Sequence, residues 1–264
     1  MSLTPHILPG GRRARVLSLH HGPVEIERLF RAIHDRVLTE SAAIDTANFQ
    51  EISTADLKLL FDMYDQSFFG NFLSQSIRED VATLNFRLSN RMTRSGGATE
   101  RLRPRSGAVR RDRFTITVST LLLFQSFREG SRPINVGGLE CNDRLEALQR
   151  IVEHELLHLT EFLAWDASSC TRPNFRNLSR NIFGHAGVKH ELVTPYEVAA
   201  TTFDIRPGDL VAFEFEGIRL AGVVNRITKR ATILVEDPHG RLYSGGKKYA
   251  AFYVPISMLK KTIT

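Results

Sequence analysis

Apolar residues along this chain recur first at helical spacing, then in alternation, then at helical spacing again, and finally in short alternating runs. From Val24 to about Leu38 the positions Ile26, Leu29, Phe30, Ile33 and Val37 fall on one helical face. A second predicted helix runs from about Thr54 to Phe68, capped by Ser53 or Thr54 and stopped by Gly70. Leu57, Leu60, Phe61 and Tyr64 form its buried stripe. Ala82 to Leu88 alternates as a strand does, with Leu84, Phe86 and Leu88 on one face. The turn Ser95-Gly96-Gly97 and an Arg-rich stretch interrupt the sheet before Phe114 to Val118 resumes the alternation. Leu121 to Phe127 is an apolar run that fits helix or strand, and Gly130 to Gly138 reads as loop. Asn142 or Asp143 then caps a long helix to about Trp165, with Leu145, Leu148, Val152, Leu156 and Leu159 on its apolar face. A further helix from about Pro173 to Ile182 ends at Gly184.

Near Phe203 the period changes. Short strands at Leu210–Phe215, Ala221–Ile227, Ala231–Val235 and Tyr249–Val254 are separated by Gly-containing turns. The pattern predicts an α+β chain in three parts. Residues 1–22, which hold Pro, Gly and Arg without a period, read as a flexible tail. Residues 23–203 form the main domain, and 204–264 a small SH3-like β-barrel.

Composition narrows the class. A chain of 264 residues, 42% hydrophobic and 24% charged, is globular rather than disordered. No apolar run approaches the ~18 residues of a membrane span, so no membrane partner is expected. The N-terminus lacks an apolar core followed by a small-residue cleavage site, so no signal peptide is expected either. Cys141 and Cys170 are the two cysteines, which make no disulfide framework and fit a reducing cytoplasm. The net charge is +6, and Arg supplies 28 of the 35 basic residues. Arg101, Arg103, Arg105, Arg110, Arg111 and Arg113 crowd one segment, and Arg226, Lys229, Arg230, Lys247 and Lys248 lie in the C-terminal part. One reading is a polyanion partner, sequence-independent DNA above all. The other is a GC-rich genome and a solvated surface.

The chemistry sits in His154-Glu155-Leu156-Leu157-His158. Four helical residues turn about 400°, so both imidazoles leave one face, one turn apart, and can share a metal ion. Zinc suits imidazole and lowers its water's pKa toward ~7. Glu155 stands beside the histidines, placed to take a proton from that water.

The segment Leu59-Leu60-Phe61-Asp62-Met63-Tyr64-Asp65-Gln66-Ser67-Phe68-Phe69 resembles the first helix of SprT-like proteins, the group that includes the Spartan proteases. A sheet segment and then the helix His154-Glu155-Leu156-Leu157-His158-Leu159 follow in the order similar to that family's, over about residues 55–185. The resemblance implies a zincin-like domain, Zn2+ as cofactor, peptide-bond hydrolysis, and protein substrates near DNA. Family members supply a third histidine in His-Gly-x-x-Phe, some 12–15 residues past the second. This chain departs from that pattern: it has Ser168-Ser169-Cys170-Thr171-Arg172-Pro173-Asn174-Phe175, with the Phe but no His-Gly. Either Cys170 replaces the histidine, or a later histidine does, or the site is degenerate. His185 and His190 each bind metal or cap the preceding helix. Glu161, seven residues from His154, lies about 10 Å along the axis, too far to share the ion on one straight helix.

The reading that follows is a zinc peptidase with Glu155 as base, His154, His158 and Cys170 (or His185) as ligands, and a protein or peptide substrate. Its rival is a non-catalytic nucleic-acid-binding protein with a structural metal. A structural site has no use for Glu155, and it closes its metal with four protein ligands where a catalytic site leaves one position to water.

Overall fold

The computed structural model describes residues 9–104, 111–128 and 132–262, so Arg105, Arg110 and Gly130 lie outside the described residues. The chain divides into two compact units, Met1–Leu192 and Val193–Thr264. The division falls about ten residues before the change of period, because the segment between Leu192 and Phe203 folds with the C-terminal strands.

In the first unit, α1 (Pro9–Leu17) forms within the segment 1–22 expected as a loose tail, of which residues 1–8 lie outside the described residues. Val16 is fully buried, and Arg12 pairs with Glu79 at 2.9 Å and Asp80 at 2.8 Å. Two anchors one turn apart were too few to register as a period. Helix α2 (Pro23–Glu40) and α3 (Thr54–Phe69) follow as expected, and the Ser53/Asp56 capping box opens α3. Helix α4 (Phe72–Glu79) precedes strands β1 (Thr83–Ser89), β2 (Gly97–Leu102) and β3 (Arg113–Ser119). Their sheet has the order β1-β3-β2, with β1 parallel and β2 antiparallel to the central β3. Sequence reading had placed only a turn and an Arg-rich interruption where β2 runs. Helix α5 (Thr120–Ser126) resolves the apolar run after β3 as helix, with Ser119 accepting from the Leu122 backbone at its N-cap.

The expected loop after it contains a hairpin, β4 (Ile134–Val136) and β5 (Leu139–Cys141). Its two turn residues, Gly137 and Gly138, have φ of 64° and 76°, the left-handed pair that a tight hairpin turn demands. Helix α6 (Arg144–Trp165) runs through the unit, with Asp143 accepting from the Glu146 N–H at its N-cap. Most of its residues are buried on every side, so it is the axis of the core. Helix α7 (Pro173–Phe183) and the two-residue β6 (His190–Glu191), paired with β4, complete the unit. Tyr64, Phe68 and Phe183 meet ring to ring between α3 and α7.

In the second unit, α8 (Pro195–Thr202) begins at a Thr194 cap and was not foreseen. Strands β7 (Leu210–Phe215), β8 (Ile218–Ile227), β9 (Ala231–Leu242), β10 (Lys248–Val254) and β11 (Lys260–Lys261) form one antiparallel sheet. Its order is β10-β9-β8-β7-β11. This corrects the expected barrel. The sheet is open, since among the described residues β10 pairs only with β9 and the two-residue β11 only with β7. Closure would need a pair between those ends. Val211, Phe213, Val224 and Ile233 form its core together with Ala199 of α8. Of the basic residues expected there, Lys247 is taken up by Glu236.

Candidate metal centre

Helix α6 presents its functional side chains from a buried backbone. His154 is 5% exposed and Glu155 2%, values that polar groups reach only with partners or a task. The two imidazoles converge as the four-residue spacing requires, with His154 Nε2 and His158 Nε2 3.1 Å apart. That separation is close to the edge of a tetrahedron built on Zn–N bonds of about 2.0–2.1 Å. Phe175 packs against both rings, at centroid distances of 4.8 and 4.7 Å, and limits their rotation.

A hydrogen-bond chain sets the tautomer of His158. Ser168 Oγ donates to Glu161 Oε2 at 2.7 Å, so it accepts from His158 Nδ1–H at 2.6 Å. The Ser169 N–H donates to the same Glu161 oxygen at 3.0 Å. His158 Nε2 is then left as a bare lone pair aimed at His154, the state a metal ligand needs. Glu161 therefore reaches His158 through Ser168 rather than directly.

Two groups of possible metal donors share His154. In one, donor atoms of His154, His158 and Cys170 lie within 4.8 Å of each other; in the other, those of His154, Glu155 and His190 do. His190 stands with its ring centroid 4.4 Å from that of His154. His190 Nε2 is buried without a hydrogen-bond partner, which suits a site whose missing partner is a ligand; His154 Nδ1 is also unpartnered, on the side of the ring away from the Nε2 that faces His158. Burial drives all three imidazoles toward the neutral, metal-binding form. It lowers His158 to about 4 and, with the neighbouring imidazoles, His190 to about 3. The His154 ring is lowered further still, by burial first and then by His190 and His158. The donor set therefore fits zinc.

His185 has a different place. Its Nε2 meets Glu153 Oε2 at 2.7 Å in a fully buried pair, and His185 belongs to neither donor group. Glu153 also binds Arg150 at 3.0 Å and accepts from Tyr64 Oη at 2.9 Å. Burial pushes the Glu153 carboxyl up, but Arg150 and His185 outweigh it and hold the group below its ordinary range.

Glu155 is pushed the other way, to about 8, by burial that Thr99 only partly offsets. Thr99 Oγ1 lies 2.8 Å from Glu155 Oε2 and 3.0 Å from the Glu155 carbonyl oxygen, tying the carboxyl to strand β2. A Cβ on Gly97 would sit 2.6 Å from Glu155 Oε1, so a side chain there would displace the carboxylate. These groups line a cleft of about 580 Å³ that also takes in Cys170, Phe162 and Lys189. Beside it Arg101 and Arg103 both pair with Asp166 and Asp112, so part of the arginine cluster is internally neutralised.

Sequence reading had named His154, Glu155, His158 and Cys170, and the fold brings them into one cleft. From sequence, His185 rather than His190 stands as the alternative to Cys170, and Thr99, Gly97 and Ser168 carry no assigned part in the site. Ser168 stands two residues before Cys170 in the chain, which was the available signal for it. No family model, curated protein or solved structure matches the chain.

Proposed function

We propose that this chain is a zinc-dependent peptidase of the SprT-like zincin kind, acting on protein or peptide substrates. One juxtaposition carries the reading. Two imidazole nitrogens 3.1 Å apart, with Cys170 beside them, share an open cleft with a buried carboxyl that makes no ion pair among the described residues. His154, His158 and Cys170 would hold the ion. Zinc so held supplies Lewis acidity to water and to a scissile carbonyl, and its charge favours the ionised form of Glu155.

The chain's own residues supply the rest. Glu155 accepts the proton of the attacking water and delivers it to the leaving amine nitrogen. Thr99 and Gly97 fix where that carboxylate stands. Ser168 and Glu161 keep His158 in the ligating tautomer. Gly97, Ala98 and Thr99 belong to an edge strand, and such an edge offers an extended peptide a row of backbone partners. Action on proteins associated with DNA belongs to the same proposal. It is supported by the +6 charge, and weakened where Arg101 and Arg103 are spent on Asp112 and Asp166.

The test is Glu155→Gln. The variant should keep its metal and its fold while peptide hydrolysis falls on the order of 10²-fold or more, as for loss of a positioned base. Undiminished cleavage would remove Glu155 from the mechanism.

A further inference from the structure

The third donor of the cluster differs in kind from the other two. His154 and His158 project from the middle of α6, and His154 is almost wholly buried with its Nδ1 unpartnered. Cys170 sits in the turn between α6 and α7, outside any helix or strand. It lines the cleft and is partly exposed, whereas the other cysteine, Cys141, is 5% exposed in β5. A sulfur placed within 4.8 Å of two imidazole nitrogens and lining an open cleft would, once bound to the metal as thiolate, combine nucleophilicity with access. Those two properties decide which cysteines are oxidised.

We propose that Cys170 is a modification site that controls the metal: a hydroperoxide oxidises its thiolate, and the site then releases its ion. The inference rests on the peptidase reading, with Cys170 as ligand. The sulfur attacks the peroxide, an S–O bond forms and the O–O bond breaks. Sulfur loses two electrons to become a sulfenic acid, and the peroxide leaves as water or an alcohol once its oxyanion takes up a proton. Two histidines remain, fewer protein ligands than a zinc site normally keeps. A thiol reductant reverses the change: two thiols become one disulfide, water is released, and the Cys170 thiol is restored. The other cysteine is buried in the β4–β5 hairpin, so Cys170 is the thiol that reports on oxidants reaching the cleft.

The full chain, loaded with zinc, is treated with hydrogen peroxide in the presence of a chromogenic zinc chelator. Roughly one zinc per chain should be released, and dithiothreitol with added zinc should restore binding. The cobalt-loaded protein should show a sulfur-to-cobalt charge-transfer band that peroxide abolishes. Cys141→Ser should respond as the wild type does, and Cys170→Ser should lack both the band and the peroxide-dependent release. Peptide mapping identifies the oxidised residue. If Cys170 is oxidised while zinc stays bound, the inference fails; the peptidase reading survives with His190 as third ligand. Equal release from Cys170→Ser also overturns it. Failure of the chain to bind zinc or cobalt at all overturns the inference and the peptidase reading together.

Discussion

Glu155 and the histidines around it titrate in opposite senses, which gives the metal-free protein a distinctive pH profile. Between about 4.5 and 8 the folded chain keeps a proton on Glu155 that the unfolded chain has released. The contribution of this carboxyl to stability therefore falls as pH rises through that window. From about 6.5 down to about 4 the unfolded chain protonates histidines that the folded chain holds neutral, so their contribution falls as pH drops. The site thus favours a stability maximum near pH 6.5, where the histidine loss has ended and the carboxyl loss is still growing. Urea unfolding of the metal-free protein from pH 5 to 8.5 should show the alkaline decline, and Glu155→Gln should remove it. Identical alkaline limbs in the two proteins would mean that the carboxyl is not held protonated by burial.

At the scale of elements, two neighbouring networks on α6 separate by function. Ser168→Ala frees His158 from the Glu161 relay and should weaken zinc binding on the order of 10–100-fold with little loss of stability. His185→Ala leaves the buried Glu153 carboxylate with one fewer hydrogen-bond partner and should cost roughly 1–3 kcal/mol of stability. Zinc affinity of that variant, measured below its unfolding range, should be nearly unchanged. Reversal of the two outcomes would make His185 a ligand and Ser168 a bystander. The sequence made α6 legible because its cap, its length and its His-x-x-x-His spacing are all local. It left β2 hidden: Gly97–Leu102 reads Gly-Ala-Thr-Glu-Arg-Leu, and its inward groups are small or polar because they face Glu155 rather than an apolar core. His185 and His190 could not be ranked by spacing. Which of them reaches His154 depends on the turn after Gly184 and on the pairing of β6 with β4, a contact more than fifty residues away in sequence.

For the whole molecule, the change of period located the second unit but not its start. Ala199 of α8 is fully buried in the core of the β sheet, so the helix belongs to that fold. A chain of residues 193–264 should fold alone as a β protein, while one of 204–264, lacking α8, should be less stable or unfolded. Circular dichroism with thermal melts decides this; equal stability of the two fragments would make α8 dispensable. The α+β class and four of the five strands after Gly208 followed from alternation and turns; the two-residue β11 and the open edge of the sheet depended on which strands pair. Among the described residues no helix is long and apolar enough to cross a membrane.

The central claim is that α6 carries a metal site, and metal analysis tests it most directly. Protein purified without added metal, after removal of any affinity tag, is analysed by inductively coupled plasma mass spectrometry alongside His154→Ala and Glu155→Gln. The account predicts about one zinc per chain in the wild type and in Glu155→Gln, and loss of that zinc in His154→Ala, since a zinc site normally uses three or four protein ligands. Wild-type protein that holds no zinc even after incubation with it, or zinc retained in full by His154→Ala, would contradict the account.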